Sequence, residues 1–467
     1  MATLTRDDST SKLQSGMHHI ASVTNVADFV QTEAARNVAP PSPFKEWQNA
    51  ASKADGARVL FATDEWFASA DRLIEDSSPV FDPDAYCVQG KVMDGWESRR
   101  RREAGHDWNI IQLSRRTNLI GVEIDTAHFT GNQVPQISLQ VADLTAAQAV
   151  KMVSGFPTEI TLTRLLFGGV QGTGASPDQI GQAEKACQEV EWKELLPRTP
   201  LRPGYEPSRM HYFRIPTDDI VGTHVRVNYY PDGGVARLRL WGTYTKETPD
   251  KPIPQPAYCP IRTGRTCSVI PHGDCVGNES QLPSRQTQGL VEVSSEVQGG
   301  IGVTCSNKHY GEPWHLIQKT LGRDMGDGWE TARNPERPSV LIKDPTTNLV
   351  ASSLNDWAVL KLGHPTNAVD RIILDTKHFR GNYPESVLLE GCYVENDDFL
   401  LSGDDSVVEW FTLVPRGRMA PDAEHVYETS KNQVLNADRL ISHVRLSIFP
   451  DGGVSRVRVY AKEDEKQ

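Results

Sequence analysis

Long apolar runs are missing from this 467-residue chain. No stretch approaches the ~20 residues that a membrane-spanning helix needs, so no membrane partner is expected. Positive charge is also in short supply. The chain has 49 Lys and Arg against 61 Asp and Glu, a net charge of −12, and a phosphate-backbone binder would need clustered basic residues. The one basic run, Arg99–Arg102, is too short to reverse that, and no nucleic-acid partner is expected. Cysteines number seven, an odd and scattered set without a Cys-x-x-Cys pair, which reads as free thiols in a reducing compartment. Cys259, Cys267 and Cys275 read as linker cysteines for the same reason. The first residues lack the apolar core of a signal peptide, and the C-terminal Asp-Glu-Lys-Gln is not a peroxisomal tripeptide. A cytoplasmic location is therefore expected. Alternating long helices and a Gly-x-Gly-x-x-Gly after a strand are absent as well, which excludes a Rossmann-type fold.

What the chain does contain, it contains twice. Residues 223–242 read THVRVNYYPDGGVARLRLWG and residues 442–461 read SHVRLSIFPDGGVSRVRVYA; ten of the twenty aligned positions are identical. Alternating apolar residues lead into Pro-Asp-Gly-Gly and then alternate again, the pattern of a β-hairpin. Further blocks recur in the same order. Residues 56–74 match 299–317, and Asp94-Gly-Trp-Glu-Ser98 matches Asp327-Gly-Trp-Glu-Thr331. Asp107-Trp-Asn-Ile-Ile-Gln-Leu113 matches Asp356-Trp-Ala-Val-Leu-Lys-Leu362, and Asp125-Thr-Ala-His-Phe-Thr-Gly-Asn132 matches Asp375-Thr-Lys-His-Phe-Arg-Gly-Asn382. A spacing of roughly 200 residues is too long for a solenoid and indicates a duplicated domain.

Within each copy the apolar segments are short, β-branched and separated by turn residues. This predicts an all-β chain of two tandem jelly-roll β-sandwich domains from an internal duplication. The expected division is a flexible N-terminal arm at 1–45 with one short helix near 25–36, a first repeat at 46–246, a Pro/Gly/Cys-containing linker at 247–290 and a second repeat at 291–467. An insertion at 144–188, rich in Gln, Ala and Gly at 170–186, is expected to hold a helix and an external loop, and 332–355 is a longer connection than its counterpart 99–106.

Polar groups are densest around Asp94-Gly-Trp-Glu97, Arg99–Arg102 and Asp125-Thr-Ala-His128-Phe-Thr-Gly-Asn132. Carboxylate and imidazole side by side can divide acid and base roles. Each signal has a plainer reading: the tryptophan as a core anchor, Asp125 as a turn cap, His128 as a hydrogen-bonded core histidine. The copies diverge at Glu65/Lys308 and Trp66/His309, the mark either of a site kept in one copy and lost in the other or of simple drift.

The blocks Gly95-Trp-Glu-Ser-Arg-Arg100, Gly105-His-Asp-Trp-Asn-Ile-Ile111, Asp125–Asn132 and Phe449-Pro-Asp-Gly-Gly-Val454 resemble those of the allantoicase family, over about residues 45–462. Ser98 stands where the family pattern has Thr, and the linker is longer than that pattern. The resemblance implies tandem galactose-binding-like jelly rolls, assembly as a homo-oligomer, and hydrolysis of allantoate to (S)-ureidoglycolate and urea. On that reaction Arg226, with Arg99 or Arg102, is expected to hold the carboxylate, where a guanidinium fits a planar anion. Asn132 and Asp125 would bind a ureido arm, and Glu97 and His128 would share acid–base work. The second copy offers the parallel set Glu330, Asp375, His378, Asn382 and Arg445. No cofactor is certain. His and Asp are able to hold a divalent metal, but the motifs contain no His-x-His or His-x-x-x-His cluster, so no metal ligand is assigned. The alternative is a non-catalytic jelly-roll ligand- or carbohydrate-binding protein.

Overall fold

A computed structural model describes residues 41–216, 219–245, 289–395 and 408–462. The expected N-terminal arm with its helix, and the linker with its three cysteines, lie almost wholly outside the described residues. Among those described, no helix is long and apolar enough to cross a membrane.

Each repeat is a sandwich of two antiparallel sheets. In the first, the 19-residue strand Asp107–Asp125 serves both layers. Its first part pairs with Arg58–Ala62 and with Val221–Tyr230, which continues to Gln136–Ala142 and Lys193–Pro200. Its second part pairs with Arg237–Tyr244 and Met210–Arg214. The second repeat has the same order but splits that strand in two. One sheet runs Ile301–Cys305, Asp356–Thr366, Ile441–Phe449, Ser386–Cys392 and Phe411–Arg418; the other runs Leu290–Glu292, Arg456–Lys462, Val369–Asp375 and Glu424–Glu428.

The period-2 alternation places one face of each strand inward. Val122, Ile124, Val225, Val227, Leu238 and Leu240 meet in the first core, and Ile372, Leu374, Val444, Leu446, Val457 and Val459 in the second. Trp96 and Trp329 are wholly buried core anchors. Their indole N–H groups donate to the carbonyls of Asp64 at 2.8 Å and Asn307 at 2.9 Å.

One expectation is corrected. The repeated Pro-Asp-Gly-Gly block is not a hairpin turn, because the strands on either side of it lie in opposite layers and pair with different parts of Asp107–Asp125. It is an arch that carries the chain across the sandwich. In crossing, Gly234–Val235 pairs with Trp96–Glu97, and Gly453–Val454 with Trp329–Glu330. Alternation fixes which residues face inward but not which neighbour a strand takes. The arch is tight: a Cβ on Gly234 would lie 2.1 Å from the Phe129 ring, and one on Gly453 would lie 2.1 Å from Phe379. Ser98 Oγ accepts the Gly233 N–H, as Thr331 Oγ1 accepts that of Gly452, so the Ser-for-Thr departure keeps the hydroxyl's task.

The insertion of the first repeat folds into three helices, α1 (Ala146–Ser154), α2 (Thr158–Phe167) and α3 (Pro177–Gln188), where one was expected. Thr145 with Gln148 and Ser176 with Gln179 form capping boxes that start α1 and α3. Arg164 of α2 pairs with the buried Glu65 at 2.6 Å. Truncating either core tryptophan removes a fully buried side chain and its hydrogen bond. Trp96→Ala and Trp329→Ala should each cost about 3–5 kcal/mol, read by denaturant unfolding.

Candidate active site at the junction of the repeats

The second strand residue of each Trp-Glu pair, Glu97 or Glu330, is nearly buried where the two repeats meet. Glu97 Oε1 accepts from Asn132 Nδ2 at 2.9 Å and from Arg333 of the other repeat at 3.1 Å. Glu330 Oε1 accepts from Asn382 Nδ2 at 2.8 Å and from Arg100 of the other repeat at 2.6 Å. The arrangement is an exchange: each repeat lends an arginine to its neighbour's Glu–Asn pair. The backbone follows the same rule, with Arg333 N–H donating to Gly131 O at 2.7 Å and Arg100 N–H to Gly381 O at 2.9 Å. In both glutamates the contacts use Oε1, leaving Oε2 without a partner among the described residues.

The two arch aspartates complete the junction. Asp451 accepts from Arg100 at 2.9 Å and pairs with Arg337 at 3.2 Å. Asp232 accepts from Arg337 at 2.9 Å and from Arg333. Arg102 donates to the Tyr383 and Asp451 carbonyls. Four guanidiniums, of Arg100, Arg102, Arg333 and Arg337, thus face four carboxylates, of Glu97, Glu330, Asp232 and Asp451, all under a tenth exposed. Charges removed from water are tolerable only in such matched pairs. Arg333 Nε is buried with no partner among the described residues, a donor of the kind that a ligand oxygen satisfies.

Of the expected site residues, the junction collects Glu97, Asn132, Glu330, Asn382 and Arg102. It does not collect the others. His128 and His378 sit at left-handed turn positions, φ 70 and 72°. The His128 ring stacks on Phe81, and His378 Nε2 lies 2.8 Å from the Gly322 carbonyl, a hydrogen bond it can only donate. Asp125 and Asp375 cap the same turns by accepting the Ala127 and Lys377 N–H groups, each at 2.8 Å, and Asp125 also holds Arg209. Arg99 has its stem against Gly381 at the junction, but its guanidinium is turned to Asp64 at 2.6 Å. Arg226 lies over Trp108 and pairs with Glu184 of α3, and Arg445 lies over Trp410 and pairs with Glu390. Both point away from the core on the opposite face from Val225 and Val444.

Sequence reasoning passed over Arg100, Arg333, Arg337, Asp232 and Asp451. A signal existed for four of them: Arg100 and Arg333 stand at the same offset from their Trp-Glu pairs, and both aspartates are identical in the repeated block. Arg337 has no such counterpart.

Burial alone would raise the two aspartates, but Arg337 and Arg333 beside Asp232, and Arg337, Arg100 and Arg102 beside Asp451, outweigh it and hold both below the usual carboxylate range. Their stabilisation is therefore complete above the unfolded value of about 4 and is lost as pH falls through the folded values. Glu97 has the opposite sign. Burial outweighs Arg333 and Asn132 and raises its carboxyl, so its contribution is present in acid and fades as pH rises through the raised value. Asp451→Asn leaves buried arginines uncompensated and should cost about 3–5 kcal/mol at neutral pH. It should also decline less steeply than the wild-type chain below about pH 4; guanidinium unfolding across that range reads both.

Comparison with known proteins accords with this duplicated architecture. The family model described as the allantoicase repeat matches residues 48–245 and 291–464. A protein of Pseudomonas savastanoi pv. phaseolicola named as a probable allantoicase is 32% identical over 428 residues, covering 90% of this chain and 98% of that one. One of Pseudomonas syringae pv. syringae with the same name is 33% identical over 426 residues, covering 90% and 98%. A crystal structure of allantoicase from Saccharomyces cerevisiae is 27% identical and covers 89% of this chain and 93% of that one, with a TM-score of 0.29, a superposition too loose to add to the sequence match. With both repeats matched by the family model and relatives 32–33% identical aligned over 90% of this chain and 98% of their own, the chain belongs to the allantoicase family.

Proposed function

We propose that this protein hydrolyses allantoate to (S)-ureidoglycolate and urea at the junction of its repeats, domains that we draw at 46–246 and 291–467. The observation that carries the reading is the paired Glu–Asn constellation, Glu97 with Asn132 and Glu330 with Asn382, each completed by an arginine from the other repeat.

The reactive carbon of allantoate bears a carboxylate and two ureido nitrogens. One C–N bond must break with its electron pair leaving on the ureido nitrogen, which takes a proton, while a water oxygen bonds to carbon and sheds one. The asparagine amide matches a ureido arm in both donor and acceptor. The glutamate is suited to deliver the proton, since burial raises Glu97 and its Oε2 is free of internal partners; a positioned acid of this kind contributes about 10²–10⁴ in rate. The unpartnered Arg333 Nε–H is assigned to the substrate carboxylate. This reading replaces His128 and His378 as acid–base groups, and Arg226 and Arg445 as clamps, because all four are engaged elsewhere. We also assign the homo-oligomer contact to α2, where Leu162, Leu165, Leu166 and Phe167 are 50–66% exposed.

Purified protein given allantoate should release urea with an equal amount of ureidoglycolate. Glu97→Gln combined with Glu330→Gln should lower kcat by about 10²–10⁴. Folded protein that releases no urea, with or without added divalent metal, would overturn the reading and favour the carbohydrate-binding alternative. Leu166→Asp is expected to lower the oligomeric mass seen by light scattering.

A further inference from the structure

The two halves of the junction correspond residue by residue yet are lined differently. Asp64 Oδ1 accepts the backbone N–H of Trp66 at 3.0 Å and of Arg99 at 2.8 Å. Asn307 Oδ1 accepts those of His309 at 3.0 Å and Ala332 at 3.1 Å. His309 is therefore the counterpart of Trp66, and Tyr310 that of Phe67. Trp66, Phe67 and His309 reach across to the other repeat. A Cβ on Gly381 would lie 2.8 Å from both the Trp66 and Phe67 rings, and one on Gly131 would lie 2.4 Å from His309 Nε2. Only glycine permits this approach. Trp66 and Phe67 thus cover Gly381, while His309, with Tyr310 beside it, covers Gly131.

The cover over the second half is the more closed and is lined by the Trp66 and Phe67 rings and the Arg99 stem, with Trp66 Nε1 and Asn382 Oδ1 buried without partners among the described residues. Asn382 is 4% exposed and Phe67 7%, and Asn382 Nδ2 also lies 3.4 Å from Met325 Sδ. The cover over the first half is open and polar. Asn132 is half-buried, His309 is exposed and Tyr310 is 36% exposed. The His309 ring meets Tyr310 edge-on, with centroids 4.4 Å apart.

We infer that each chain has a single catalytic half-site, that of Glu97 and Asn132, in which His309 of the second repeat is the general base for the attacking water, and that Trp66, Phe67 and Met325 shut the other half. The inference rests on the allantoate reading and goes beyond it in choosing the half and adding the base. As the water oxygen bonds to the substrate carbon, its proton passes to His309 Nε2. The C–N electron pair leaves with the ureido nitrogen, which takes the proton of Glu97. Return of the proton from His309 to Glu97 closes the cycle, with no net oxidation. The groups around His309 fit that task. Burial lowers its basicity, against the pull of Glu330, and Arg100 adds to the lowering. Tyr310, whose hydroxyl is held protonated by burial beside Glu330 and Glu97, is a donor that Phe67 cannot be.

The test sets His309→Gln against Trp66→Phe. His309→Gln should lower kcat by about 10²–10⁴, leave KM little changed and remove the acid limb of the kcat/KM–pH profile, whereas Trp66→Phe should leave turnover unchanged. Calorimetric titration with hydantoate, a carboxylate carrying one ureido arm, should give one site per chain, and Glu97→Gln should retain that stoichiometry. Normal turnover by folded His309→Gln, an equal loss in Trp66→Phe, or two hydantoate sites per chain would each overturn the inference. Wild-type protein that releases no urea from allantoate would instead defeat the functional reading beneath it.

Discussion

The pairing of four buried arginines with four buried carboxylates across the junction is the constraint on which the rest of this structure depends. The glutamate of each repeat is contacted by an arginine of the other. Arg100 lies against Glu330 and Asp451, and Arg333 against Glu97 and Asp232. Each sandwich has its own apolar core. The charges, however, set how the two sandwiches face each other. Buried ion pairs contribute little net stability compared with a well-packed apolar contact, but a wrong register leaves bare charge, so they select one arrangement strongly. The same charges sit where the site lies, so docking geometry and chemistry are a single problem here.

Duplication explains how such a junction arises. A motif that serves the fold, Trp in the core and Glu at the rim, becomes a shared site once two copies meet face to face. The arch then supplies the aspartates that balance the exchanged arginines, and Gly131 and Gly381 let the facing segment approach closely. With two copies present, one half could close. Trp66 and Phe67 on one side, His309 and Tyr310 on the other, occupy corresponding places with opposite chemistry.

Much of this was legible in the residues. The block order gave the tandem sandwiches, and the alternation of Val225, Val227, Leu238 and Leu240 gave the inward face. Glu97, Asn132, Glu330 and Asn382 stood out as polar groups beside obligate turns, and they do gather. His128 stood out for the same reason and does not join them, because its conspicuous motif is a left-handed turn capped by Asp125. Arg226 has a guanidinium as apt as any for a carboxylate, but α3, a feature of the insertion, brings Glu184 to it.

By itself the sequence determined what is local and periodic: the duplication, the strands and their buried faces, the core tryptophans and the family. Tertiary structure decided which side chains meet. Pro-Asp-Gly-Gly reads as a hairpin until its flanking strands choose partners in opposite layers. Arg100 and Glu330 are 230 positions apart, and no window of sequence records their encounter. Strand alternation has a period of two and fixes a face, whereas the partner across a junction is fixed only when whole sandwiches pack and buried charge must be matched.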